Sequence, residues 1–127
     1  MQESAALVAF VAVSDLDRAE RFYGGTLGLA LRDERPFALV ADVGGTELRI
    51  TAVDAVAAAP YTVLGWRVSD IDGAVDDLAA RGVVFTRYEG MSQDSRAIWT
   101  SPSGARVAWF LDPDGNNLSL TQFSEAA

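Results

Sequence analysis

The side chains best placed to do chemistry are the oxygen donors of Asp112-Pro113-Asp114-Gly115-Asn116. Asp112, Asp114 and Asn116 alternate like the opening ligands of a calcium loop, and hard oxygen donors suit Ca2+. Such a loop also needs glycine at its sixth position and glutamate at its twelfth. Those positions hold Asn117 and Phe123, so the stretch reads as a turn. Asp at i, Pro at i+1 and Gly at i+3 is type I turn chemistry. The chain contains no histidine and no cysteine. That removes the commonest general base, any thiolate nucleophile and the commonest transition-metal ligands together. No Ser-His-Asp, Cys-His or paired-carboxylate arrangement emerges.

Composition narrows the partners. The 127 residues, half apolar and 22% charged, make one ordinary domain or two small modules sharing a core. The net charge of −8 and isoelectric point near 4.3 argue against nucleic acid and anionic membrane surfaces, which need a basic footprint. The N-terminus has no basic region, and no apolar run approaches the length of a membrane span. A soluble cytoplasmic protein is expected.

The elements that must carry these residues occur twice. Phe37 through Thr51 echoes Val107 through Thr121: Asp42 meets Asp112, Gly45 meets Gly115, and Val40 meets Phe110. Val13-Ser14-Asp15-Leu16-Asp17 is likewise echoed by Val68-Ser69-Asp70-Ile71-Asp72. Such internal similarity marks a duplicated module. Ser14 with Asp17, and Ser69 with Asp72, resemble capping boxes. Helices are predicted over 16–27 and 71–81, each stopped by a glycine, Gly28 and Gly82. Short alternating or apolar runs predict strands over 7–13, 29–34, 36–43, 46–53, 61–69, 83–88, 105–111 and 118–121. Residues 89–104 form a polar insertion that carries Trp99, and 124–127 form a frayed tail. The expected class is α+β: two tandem βαβββ modules, 1–53 and 61–127, joined by a linker over 54–60.

Two such modules, with Asp112-Pro113-Asp114-Gly115-Asn116 near the end and Leu27-Gly28-Leu29 after the first helix, resemble the vicinal oxygen chelate superfamily. That group includes glyoxalase I, bleomycin-resistance proteins and extradiol dioxygenases. The resemblance spans about residues 7–123 and implies curled mixed sheets with helices on their outer faces. It implies a ligand cavity lined by the inner faces, and a homodimer whose modules pair within a chain or exchange between chains. Its metal-using members carry His, Gln or Glu on the first and last strands of each module. Those positions fall here on Val8, Arg49, Val63 and Ser119. Two valines, an arginine and a serine cannot hold a divalent cation, which wants imidazole or carboxylate ligands. No metal and no cofactor is therefore expected.

Side chains two apart share a strand face. If Val8 and Val63 line the cup, so do Phe10, Ala12, Gly65 and Arg67. Arg49 brings Glu47 and Thr51, and Ser119 brings Asn117 and Thr121. The opposite parity, including Val11, Val13, Trp66, Leu48, Ile50, Leu118 and Leu120, suits packing against the helices. If Phe110 packs inward like Val40, Trp109 also faces the cup. Trp99 has no repeat counterpart to fix its direction and serves either as a stacking surface or as a core plug. Arg49 and Arg67 need partners: Glu47 and Asp42 respectively, or a ligand oxygen.

The candidate ligand-binding set is therefore Val8, Phe10, Arg49, Val63, Arg67, Trp99, Trp109 and Ser119, with no catalytic residue assigned. The resemblance implies a metal-free protein that binds a small, flat aromatic molecule, as the drug-sequestering branch does. The rival reading is a metal-independent isomerase, lyase or hydrolase using Glu47 or Tyr88 as base. A regulatory binding module is a third.

Overall fold

A computed structural model of the chain describes residues 1–124. The chain forms two compact units, Met1–Ala57 and a second beginning at Ala58. The first contains β1 (Val8–Val13), α1 (Leu16–Ala19), a π-helical stretch (Glu20–Thr26), β2 (Arg32–Glu34), β3 (Ala38–Val43) and β4 (Thr46–Ala52). Its sheet runs β1-β4-β3-β2, with β1 parallel to β4 and the other pairs antiparallel. Alternation along β1 and β4 sends Val11, Val13, Leu48 and Ile50 to one face, where they are buried together with Leu16, Ala19 and Tyr23 of the helix. Each large apolar side chain so buried contributes roughly 1.5–3 kcal/mol.

The second unit contains β5 (Leu64–Arg67), α2 (Ile71–Ala80), β6 (Trp99–Thr100), β7 (Arg106–Leu111) and β8 (Asn117–Gln122). Its sheet, β5-β8-β7-β6, repeats the first in topology, with β5 parallel to β8. Ile71, Val75 and Leu78 of α2 are buried with Phe110, Leu118 and Leu120 of the sheet. Arg106 grips Asp72 of α2 through two hydrogen bonds of 2.8 and 2.9 Å. Trp66 stacks on Phe110 with ring centroids 6.5 Å apart, so it serves the helix-facing core. The α+β class and its two tandem βαβββ modules are borne out, as mixed four-stranded sheets.

Several local expectations need correction. The helices are capped by Asp15 and Asp70, whose carboxylates accept from Arg18 N and Gly73 N at 3.0 and 3.1 Å. The caps are not Ser14 and Ser69; Ser14 instead accepts from the Arg18 guanidinium. The first helix widens to π geometry from Glu20, where Leu27 N reaches back to Phe22 O. Gly24 and Gly25 fall inside that stretch, and their weak helix propensity lowers the cost of leaving α geometry.

The strand expected over 83–88 shrinks to one bridge between Phe85 and Phe110. Tyr88 N turns away to the Gln93 side chain. Its place in the sheet is taken by Trp99–Thr100, which was expected to lie in the insertion. The strand expected over 29–34 is reduced to Arg32–Glu34, and that over 61–69 to Leu64–Arg67. The tail expected over 124–127 lies, beyond Ser124, outside the described residues.

The repeat also slips by one residue. In the first unit Val43 pairs with Thr46 across Gly44-Gly45, both at positive φ, a two-residue turn that only glycine or a few polar residues tolerate. In the second, Leu111 pairs with Asn117 across the longer Asp112–Asn116 turn. Leu48 therefore faces Ala41 while Leu118 faces Phe110. Ala41, not Val40, is the structural counterpart of Phe110.

Candidate functional site

Each sheet has one face covered by its helix and one that is not. In the first unit the uncovered face is set by register: Val8 lies beside Glu47, and Phe10 beside Arg49, which faces Val40. Val8 and Phe10 are 40% and 61% exposed, a large apolar exposure for strand residues. Beside them runs a closed ring of charge. Arg49 reaches Glu34 at 3.0 Å and Glu47 at 3.4 Å, while Arg32 reaches the same two carboxylates at 3.2 and 3.7 Å. Hydrogen bonds from Arg49, then Arg32, hold the Glu34 carboxyl below the usual range. The carboxylates of Glu34 and Glu47 raise the Arg49 guanidinium in turn. Arg49 thus takes the expected Glu47 partner and adds Glu34.

This arrangement does not fit a metal. The position facing the cup beside Val8 holds Glu47, whose oxygens are already turned to two guanidiniums. A second cation there would meet like charge. Among the described residues no three His, Cys, Asp or Glu side chains gather as a metal-holding group.

The uncovered face of the second unit is aromatic. Trp109 faces Ser119, which lies beside Gly65; Trp99 faces Val107, which faces Thr121 beside Arg67. The β6 pairing thus fixes the direction that sequence left open for Trp99. Trp99 and Trp109 lie 6.1 Å apart at 36°, and Tyr88 meets Trp109 edge-on at 5.5 Å. Trp109 Nε1 donates to Thr62 Oγ1 at 3.1 Å, which orients the indole. Trp109 faces as expected, although the Phe110–Val40 equivalence behind that expectation was off by one.

Ser119 is buried and Val63 is 40% exposed. Gly65 allows a close approach to its neighbour, since a Cβ there would sit only 2.7 Å from Ser119 Oγ. Arg67 extends over the Phe123 ring at 4.7 Å, a cation–π contact. It borders a shallow groove of about 500 Å³ with Gln122, Phe123 and Ser124.

Within the second unit the structure therefore gathers Trp99, Trp109, Ser119, Val63 and Arg67 on one face; Val8, Phe10 and Arg49 share a face of the first. Tyr88 and Asn117 also belong to the aromatic face, where Asn117 Nδ2 donates to Tyr88 Oη at 3.2 Å. Strand parity had placed Asn117 there, but nothing in the sequence pairs it with Tyr88 across 29 positions. No helix of the described residues is long and apolar enough to cross a membrane.

Similar proteins are numerous among solved structures. A glyoxalase/bleomycin resistance/dioxygenase superfamily member from Sphaerobacter thermophilus DSM 20745 is 29% identical, with 93% of this chain and 98% of that one covered at a TM-score of 0.70. TnmS3, an antibiotic binding protein from Streptomyces sp. CB03234, is 24% identical over 97% of this chain and 100% of that one, with a TM-score of 0.67. A glyoxalase/bleomycin resistance protein/dioxygenase from Alicyclobacillus acidocaldarius is 21% identical over 96% and 93%, at 0.71. No curated protein matches the chain significantly. Residues 6–120 match the family profile described as Glyoxalase/Bleomycin resistance protein/Dioxygenase superfamily. The chain belongs to that superfamily.

Proposed function

We propose that this protein binds a flat aromatic small molecule without metal and holds it unchanged, a sequestering role for a drug or toxic metabolite. The observation that carries this reading is the cluster of Trp99, Trp109 and Tyr88 on the uncovered face of the second sheet. Aromatic rings presented together offer stacking area at little entropic cost. The neighbouring Ser119, Asn117 and Thr121 can orient a ligand by hydrogen bonds, as small-molecule sites do. Likeness to an antibiotic binding protein supports the same reading. In this reading the chain acts in the cytoplasm as a homodimer, which would cover Val8 and Phe10.

The test is titration of the purified protein with planar aromatic antibiotics, followed by mass analysis of the recovered compound. Trp99→Ala and Trp109→Ala should each weaken binding by roughly two- to tenfold, since aromatic contacts contribute about 0.5–1.5 kcal/mol beyond area burial. Wild-type affinity in both variants would refute the site. Chemical alteration of the bound compound would move the protein to the enzymes. Sedimentation as a monomer at micromolar concentration would refute the dimer.

A further inference from the structure

Asn117 opens β8 and is 5% exposed. Its Nδ2 is spent on Tyr88 Oη, while its Oδ1 is buried with no hydrogen-bond partner. Buried acceptors are almost always satisfied, so an orphan needs a cause. Tyr88 Oη, having accepted from Asn117, makes no other hydrogen bond among the described residues and keeps its own proton to give. One acceptor and one donor thus stand side by side, both unfilled. They lie at the edge of the aromatic patch, since the Tyr88 ring meets Trp109 at 88°. Tyr88 is carried by irregular chain beyond the Phe85–Phe110 bridge, where Thr86 N donates to Trp109 O, and its own N–H donates to the Gln93 side chain. Its ring can therefore tip without breaking a strand ladder.

We infer that Asn117 and Tyr88 are the polar anchor of this face and select an aromatic ligand bearing a ring hydroxyl. The inference rests on the aromatic-binding reading and names its ligand class. A phenolic hydroxyl is both donor and acceptor: it gives its proton to Asn117 Oδ1 and accepts that of Tyr88. One group thereby fills both vacancies. An ether oxygen can only accept, so it leaves Oδ1 orphaned. A carboxylate would set its negative charge against the buried carbonyl oxygen of an uncharged pair, with no cation in that pair to offset it. The class is therefore neutral phenols on fused or extended rings, as opposed to aromatic acids.

Three probes of one ring system test this: naphthalene, 2-methoxynaphthalene and 2-naphthol, in equilibrium dialysis against the full chain. The indole N–H signals are followed by NMR in parallel. 2-Naphthol should bind wild type roughly tenfold tighter than its methyl ether, the worth of about one hydrogen bond. Signals of Trp99 and Trp109 should move, and that of Trp66, on the opposite face, should not. Asn117→Ala should abolish the preference for the naphthol over the ether. Tyr88→Phe should weaken both oxygenated probes and leave naphthalene unchanged, which keeps the assignment testable if the Asn117 variant fails to fold. Equal wild-type binding of naphthol and ether, with the Trp99 and Trp109 signals moving, overturns hydroxyl selection and leaves the aromatic site standing. A naphthol preference that survives both substitutions overturns the assignment to this pair. Binding of no probe, or movement of Trp66 alone, overturns the aromatic reading as well.

Discussion

Removing the Asp112 carboxylate should cost the second unit about 3 kcal/mol. Asp112 is 5% exposed, and its Oδ1 accepts from Asp114 N at 2.9 Å and Asn116 N at 2.8 Å. Oδ2 accepts from Asn116 Nδ2 at 2.8 Å. Asp112→Ala deprives all three donors, and Asn116 is itself buried. Hydrogen bonds to a charged acceptor contribute about 1.5–3 kcal/mol each, less where water can replace the partner. The exposed rim of the turn brings three such bonds down to about 3 kcal/mol. Asp112→Asn keeps an acceptor for the two backbone donors, loses the bond to Asn116 Nδ2, and should cost about 1 kcal/mol.

Asp42, its sequence echo, is the control. It is exposed beside a glycine turn and its side chain makes no hydrogen bond among the described residues, so Asp42→Ala should stay within about 0.5 kcal/mol of wild type. All three tryptophans lie in the second unit, so urea melts read by fluorescence report on it, and circular dichroism serves for the first. Equal costs for Asp42→Ala and Asp112→Ala, or a cost below about 1 kcal/mol for Asp112→Ala, would refute the account of the turn.

Acid should loosen the fold in a defined direction. Glu34, Asp72 and Asp76 are lowered mainly by hydrogen bonds from Arg49, Arg106 and Arg96, and Asp15 and Asp33 mainly by backbone donors. A depressed folded-state value stabilises above the ordinary value, and that contribution is lost as pH falls. Melting temperature should therefore drop below about pH 4.5, the ordinary glutamate value, and Asp72→Asn should flatten that slope. Gly65→Ala should cost stability alone, through the 2.7 Å approach to Ser119 Oγ. In a Ser119→Ala background it should instead stabilise by about 0.5 kcal/mol through reduced unfolded-chain freedom, a non-additivity that a double-mutant cycle in urea reads directly. Elemental analysis after dialysis should find far less than one equivalent of divalent metal per chain, and chelator should leave the melting curve unchanged; a stoichiometric transition metal would overturn the metal-free reading.

Strand parity was legible where burial alternates along the strand, as it does in β1 and β4. Val11 and Val13 against Val8 and Phe10 already separate the faces, and a period of two leaves no third choice. Hydrogen-bond partners were not legible. Val83-Val84-Phe85 reads as strand by composition, yet only Phe85 finds a partner; Trp99–Thr100 pairs fully but is too short to show a period. The one-residue slip between repeats came from turn length, which sets hairpin register and which the aligned Asp42 and Asp112 conceal. Trp109 could be oriented from parity alone. The Asn117–Tyr88 pair could not, because it joins a strand to an irregular segment and no periodicity links them.

The parallel pairing of each unit's first strand with its last has a consequence for the order of folding. The β3–β4 hairpin closes over two residues, whereas β1 must find β4 with Val8 and Glu47 about 40 residues apart. Loop-closure entropy makes the hairpin early and the β1 docking late. Until β1 arrives, β4 is an edge strand of the nascent sheet and its outer side offers unsatisfied backbone groups. Any β1 of the same sequence can satisfy them, including one from another nascent chain. At high concentration during refolding, that competition between self and neighbour sets the yield, so dilution should raise the fraction of native protein recovered.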